Sequence, residues 1–265
     1  MRSLVFALAY WPLSILHTLS AAVAALLPGR GLVQAVIRSY VRSMVWAMRS
    51  LAGIRIEVRG RDRLPPGAFI LASKHQSWGD GFSIYNQFDD LAFVTGDHLE
   101  RFPLLGTVLK KLGAIVVNNS GGHEARKAQA QRAAEAHAEG RKILNYPEGN
   151  LARVGEKHRY RSGVWHMYRD FQMPVVPVAT NLGVFWPQEA YEKRPGTATL
   201  EFLDPIPLGL GKEEFMARLE DAVETRTAEL VAEATGDPVT PAVQVPAPDE
   251  ARRAVTTNSP ANTRE

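Results

Sequence analysis

The apolar positions change their period twice along the chain, and the changes divide it into three parts. Residues 4–27 carry no formal charge and are flanked by Arg2 and Arg30. The run is long enough to span a bilayer, yet Pro12, Ser14, His17, Thr18 and Ser20 dilute it. A cleaved leader is the alternative, since Ala-rich sequence precedes Pro28, but the apolar run is long for one and no clean small-x-small site follows. Residues 32–51 then take up a helical period, with Val33, Val36, Ile37, Tyr40, Val41, Met44, Val45 and Met48 on a broad apolar face. Arg38, Arg42 and Arg49 fall within about 40° of one another on a helical wheel. A narrow arginine stripe beside Trp46 and a broad apolar face marks a helix lying at a membrane interface; a core helix with a solvated edge is the alternative. Residues 1–52 are thus expected to form a membrane-associated helical hairpin.

From residue 54 short apolar runs of strand length alternate with helical segments. Strands are expected at 54–58, 68–72, 91–94, 114–117, 142–146, 175–179 and 197–203, and helices at 81–88, 104–112, 124–139, 163–171 and 212–234. This alternation predicts an α/β fold: a mixed, mainly parallel sheet flanked by helices, spanning 53–235. Beyond Thr235 the sequence turns to Pro, Ala, Thr and Asn with almost no large apolar residue, so 236–265 reads as a disordered tail.

Charge sharpens the first part. The first 60 residues hold seven Arg against one acid, Glu57, while the whole chain carries only +3. Basic residues gathered beside the most apolar segment suit an anionic membrane surface; no stripe of basic and aromatic residues suggests nucleic acid. Cysteine is absent, which removes disulfides, a thiolate nucleophile and Cys-based metal sites, and fits a cytoplasm-facing protein. No His pair has metal-ligand spacing, so no metal is expected.

The candidate chemistry sits in Lys74-His75-Gln76-Ser77-Trp78-Gly79-Asp80, between an expected strand and an expected helix. Such a turn projects side chains from a rigid sheet into a crevice. Histidine moves protons near neutral pH, and a carboxylate five residues on can fix its tautomer and stabilise the imidazolium. No Ser or Cys nucleophile accompanies the pair, so the base would activate a hydroxyl that arrives with the substrate. Alone, a histidine at a strand end is as readily a structural hydrogen-bonding residue. Three further stretches sit at connections following strands: Phe102-Pro103-x-x-Gly106, Pro147-Glu148-Gly149-Asn150 and Val175-Val176-Pro177-Val178, the last itself within an expected strand with Pro at both ends of its apolar core.

In this order and spacing the four stretches resemble the four sequence blocks of the glycerolipid acyltransferase family, over roughly 64–203. The resemblance implies transfer of a fatty acyl group from acyl-carrier protein or coenzyme A, as co-substrate, to the hydroxyl of a lysolipid. It places this at the cytoplasmic face of a bacterial-type inner membrane, with no other cofactor. It makes His75 the general base and Asp80 its partner. Phe102, Pro103, Gly106, Glu148, Gly149, Asn150 and Arg153 become candidates for acceptor binding, and Arg38, Arg42, Trp46 and Arg49 for membrane contact. Trp78 either walls an acyl channel or is a packed aromatic. An inactive lipid-binding relative would share the fold but would have no reason to retain His75, Asp80, Glu148 and Gly149.

The chain departs from the family pattern at Gly96-Asp97, Asn118-Asn119 and Asn150-Leu151, where members that make phosphatidic acid usually carry cations or, at Asn150, Thr. A phosphate without charge-assisted partners is costly. The expectation is therefore an acceptor with an amino-acid head group, of the lyso-ornithine lipid type; Arg101, Lys110 and Arg153 could instead serve a phosphate, with lysophosphatidate the alternative acceptor.

Overall fold

The computed structural model describes residues 1–97, 99, 103–117 and 122–250. Seven strands form one sheet: β1 (Ile54–Arg59), β2 (Ile70–Ser73), β3 (Leu91–Gly96), β4 (Ile115–Val117), β5 (Lys142–Asn145), β7 (Val175–Thr180) and β8 (Gly196–Phe202), in the order β1-β8-β7-β2-β5-β3-β4. The pairings from β7 to β4 are parallel; β8 runs antiparallel to β7 and parallel to β1. This is the mixed, mainly parallel sheet that the alternation predicts. β2 and β7 are buried along their whole length, which is why they read as unbroken apolar runs rather than alternating ones. Pro177 is tolerated in this central strand because pairing with β8 begins only at Val178.

One face of the sheet is covered by α5 (Gly122–Ala138), α6 (Gly163–Phe171) and α8 (Lys212–Thr235), which bring Ala133, Val164, Met167, Phe215 and Leu219 onto Ile70, Ile143 and Val175. The other carries α1 (Arg2–Ala25), α2 (Gly31–Ala47), α3 (Gly79–Tyr85) and α7 (Leu182–Phe185), with α4 (Pro103–Leu112) packed on α1 and α2.

The expected boundary at 52/53 does not mark a gap in the packing. Val41 sits among Phe69, Leu71 and Val176, and Ala47, Met48 and Ala52 among Ile54, Leu182 and Trp186. At the start of α1, Phe6 meets Trp186 edge-on with ring centroids 5.0 Å apart, and at its end Ala21, Ala24 and Ala25 pack with Val108 and Leu112. Both ends of α1 therefore rest on the α/β body. Its outer face is apolar: Leu4, Leu8, Trp11, Ile15, Leu19 and Val23 are exposed at helical spacing.

The structure also departs from the sequence expectation over 236–250. Val243–Gln244 (β9) pairs in parallel with Glu156–Lys157 (β6), with Val243 N–H donating to Gly155 O at 2.9 Å and Val245 N–H to Lys157 O at 2.9 Å. The Asp249 carboxylate accepts from Arg161 at 2.8 Å and from Asn150 Nδ2 at 3.2 Å. A low-hydrophobicity segment docks here through main-chain bonds and one carboxylate, neither of which apolar content reports. Residues 251–265 lie outside the described residues.

Candidate active site

The loop 74–80 leaves the C-terminal end of β2 between β5 and β7, and its main chain is tied down at nearly every position. Lys74 N–H donates to Val178 O at 3.1 Å, and Ala152 N–H donates to His75 O at 2.8 Å. Gln76 N–H and Ser77 N–H both donate to Asp80 Oδ2 at 2.8 Å. The same oxygen lies 3.1 Å from His75 Nδ1. A buried carboxylate there accepts, so Nδ1 carries the proton and Nε2 presents its lone pair. The His75 side chain remains 20% exposed while that of Asp80 is fully enclosed. Gly79 permits this geometry: a Cβ there would come within 2.8 Å of Leu182 and 2.9 Å of Trp186, closing the space in which the loop packs on α7.

Tyr146 stacks on His75, with ring centroids 3.9 Å apart and planes inclined by 17°. Burial, and secondly the charge of Asp80, hold its phenol well above the ordinary range, so it stays neutral beside His75. Behind the loop lies a closed ionic cluster. Lys74 Nζ donates to Glu148 Oε2 at 3.1 Å, to Glu224 Oε1 at 2.9 Å and to Glu156 O at 3.0 Å. Tyr160 Oη donates to Glu224 Oε1 at 2.8 Å. Glu148 also accepts from His158 N–H at 2.9 Å through Oε2 and from His75 N–H at 3.4 Å through Oε1. Burial raises the Glu148 carboxyl above its usual range; Lys74 opposes that rise and Glu224 adds to it.

The sequence candidates are distributed as follows. His75 and Asp80 are brought together, and Trp78, three residues after His75, is 56% exposed. Glu148, expected on the acceptor, is fully buried and turned to Lys74 and the His75 main chain. Gly149, at φ +70°, has Arg161 so close that a Cβ would meet Nε at 2.8 Å. Asn150 is held by Asp249, and exposed Arg153 pairs with Glu189 at 2.6 Å. Pro103 opens α4 and Gly106 lies buried on it, while Phe102 and Arg101 lie outside the described residues. Arg38 pairs with Asp89 at 2.7 Å; Arg42, Trp46 and Arg49 are exposed. Sequence reasoning missed Lys74, Tyr146 and Glu224. The available signal was Glu224, a charge beside Val223 on the stripe Phe215, Leu219, Val223 and Leu230 that buries α8.

Residues 55–181 match the family described as Acyltransferase, a stretch that contains His75, Asp80 and Glu148. Over 180 residues the chain is 33% identical to a 1-acyl-sn-glycerol-3-phosphate acyltransferase of Pseudomonas aeruginosa, covering 68% of this chain and 70% of that protein. The chain belongs to the glycerolipid acyltransferase family. A 1-acyl-sn-glycerol-3-phosphate acyltransferase alpha of Bos taurus is 23% identical over 186 residues, 69% of this chain and 65% of that one. The crystal structure of the 1-acyl-sn-glycerophosphate acyltransferase PlsC of Thermotoga maritima superposes with a TM-score of 0.69, covering 88% of this chain and 98% of that one. At 20% identity that likeness is one of fold. The shared fold accordingly reaches beyond residues 55–181.

Proposed function

We propose that the chain transfers a fatty acyl group from a thioester, acyl-carrier protein or coenzyme A, to the free hydroxyl of a lysolipid. The observation that carries this is His75, pinned at Nδ1 by Asp80 with its ring still partly exposed, which leaves Nε2 to act on the hydroxyl. Nε2 takes the proton as the hydroxyl oxygen attacks the thioester carbonyl. The tetrahedral adduct then collapses with cleavage of the C–S bond, and the imidazolium returns the proton to the departing thiolate. Asp80 stabilises the imidazolium between the two steps. No covalent acyl-enzyme is needed.

Lysophosphatidate is the acceptor that the relatives' names support. One observation favours an amino-acid head group of the lyso-ornithine type instead: Arg153 and Arg161, two of the cations beside the Glu148–Arg153 loop, are each paired with a carboxylate, Glu189 and Asp249. Leu151 adds no charge there. The test is a side-by-side assay of wild type and Leu151→Arg on lysophosphatidate and lyso-ornithine lipid, with one donor and equal surface concentrations. If phosphate is the natural head group, the new arginine improves its use by about tenfold or more, the worth of one charge-assisted hydrogen bond. Preferential wild-type turnover of lyso-ornithine lipid establishes the second reading, and transfer to neither lipid defeats both.

The exposed apolar face of α1 supports docking on the membrane surface, where acceptors with one acyl chain reside. The helix spans about 36 Å, and both its ends rest on the α/β body, which supports lying along the interface rather than crossing it. Leu8→Glu/Ile15→Glu is expected to abolish sedimentation with anionic vesicles while the melting temperature changes little, because both side chains are exposed. Undiminished vesicle binding would count against this surface.

A further inference from the structure

We propose that Lys74 is a positioning residue for His75: inside the protein it neutralises one of two carboxylates, and so keeps Glu148 able to hold the main chain from which the catalytic imidazole projects. The inference rests on the reading of His75 as the general base. Lys74 immediately precedes His75 and is wholly enclosed, with its ammonium satisfied by Glu148, Glu224 and Glu156 O. A buried ammonium is costly to place, and a residue of this size in a core would ordinarily be apolar. Here the charge sits one peptide from the base, and its partner Glu148 reaches two main-chain donors, His75 N–H and His158 N–H. Only an ionised carboxylate offers both oxygens fully as acceptors.

The cluster carries three formal charges that sum to −1 when all are ionised. Remove Lys74, and burial and the neighbouring Glu224 both act to protonate Glu148, since both already raise its carboxyl. A proton on Glu148 Oε1 turns the acceptor of His75 N–H into a donor facing it, and a proton on Oε2 does the same to His158 N–H, so the hold of Glu148 on the main chain beside His75 is weakened. The groups that face this assembly are Asp80 from α3, Tyr146 stacked on the imidazole, Glu224 from α8 and Tyr160 ahead of α6. The His158 ring points away, to Val245 O and Leu151 O.

The signs of the two single substitutions are opposite, and mere structural damage does not produce that. Lys74→Met leaves two carboxylates without their cation. The acid limb of kcat/KM against pH therefore moves up by about one unit, whether Glu148 must first lose a proton or the added negative charge favours the imidazolium. Glu224→Gln keeps the volume and removes a negative charge, so the limb moves down. Lys74→Met/Glu224→Gln restores the original sum, and its limb returns toward that of wild type. Glu229→Gln, a charge lost from an exposed position on the same helix, leaves the limb where it was.

The experiment is the pH profile of the five proteins, read alongside NMR titration of the His75 ring, assigned by its loss in His75→Ala. The titration midpoint follows the same signs and does not depend on turnover. A wild type without transferase activity would defeat the proposed reaction, yet the midpoints would still decide the role of Lys74. Expected are the up, down and compensated shifts, with kcat of Lys74→Met reduced tenfold or more. Coincident profiles and midpoints in all five proteins, or a Lys74→Met enzyme within threefold of wild type, overturn the proposal. Should Lys74→Met fail to fold, a downward shift in Glu224→Gln and not in Glu229→Gln supports the proposal, and its absence overturns it.

Discussion

His75→Ala is expected to lower acyl transfer by about 10²- to 10⁴-fold, the usual worth of a positioned base, with the protein still folded and still on the membrane. Folding should survive because the loop does not depend on the imidazole. Asp80 Oδ2 still accepts from Gln76 N–H and Ser77 N–H, and Ala152 N–H still reaches the carbonyl of residue 75. The side chain is partly exposed, so its loss leaves one face of Tyr146 open to solvent rather than a sealed void. Release of free thiol from the acyl donor measures the reaction directly, and a thermal melt checks the fold. Activity within tenfold of wild type would remove His75 from the chemistry and with it the proposed mechanism.

The second large effect is expected from Asp80→Asn, a loss of about 10²- to 10⁴-fold with little change in substrate affinity. The amide is nearly the same shape. Its oxygen can occupy the place of Oδ2 and keep the two main-chain donors, but the NH₂ then falls where Oδ1 lies buried with no partner. That leaves a donor unsatisfied, at about 1–3 kcal/mol, and removes the charge that stabilises the imidazolium. If the amide turns the other way, it donates to Nδ1 and places the proton on Nε2, where the base needs a lone pair. Both orientations impair proton transfer and neither blocks the acceptor. A fall in kcat with KM unchanged separates this from lost binding, and a variant retaining near-full kcat would show that Asp80 serves only the loop backbone.

The sheet was legible because its central strands are buried on both faces, which leaves short unbroken runs rich in β-branched residues, such as Val175–Thr180, too short for an ordinary helix. The contact between His75 and Asp80 was legible for a different reason: they lie five residues apart on one turn, so sequence proximity is spatial proximity. The ionic cluster offered no such signal. Lys74, Glu148 and Glu224 come from three elements separated by 74 and 150 residues, and only the sheet order and the seating of α8 bring them together. Glu148 shows the limit most clearly. Its place in a turn after a strand was readable, but the side of the sheet to which the carboxylate turns was not, because that depends on where Lys74 finds room. The docked segment 243–249 was hidden because main-chain pairing and one Arg161–Asp249 contact leave no periodic pattern.

That segment also bears on the order in which the protein is made. The loop carrying Glu148 to Ala152 is braced by Asp249, 99 residues later than its partner Asn150. At ribosomal speeds of about 5–20 residues per second, the loop waits some 5–20 s for its brace. In that interval α1 and α2 have already emerged with their apolar face uncovered, and the sheet still lacks β7, β8 and α8. With α1 docked on a bilayer as proposed, its apolar face is available to the membrane before the loop carrying Glu148 is braced, and that surface can shield the helices while the rest of the fold is synthesised.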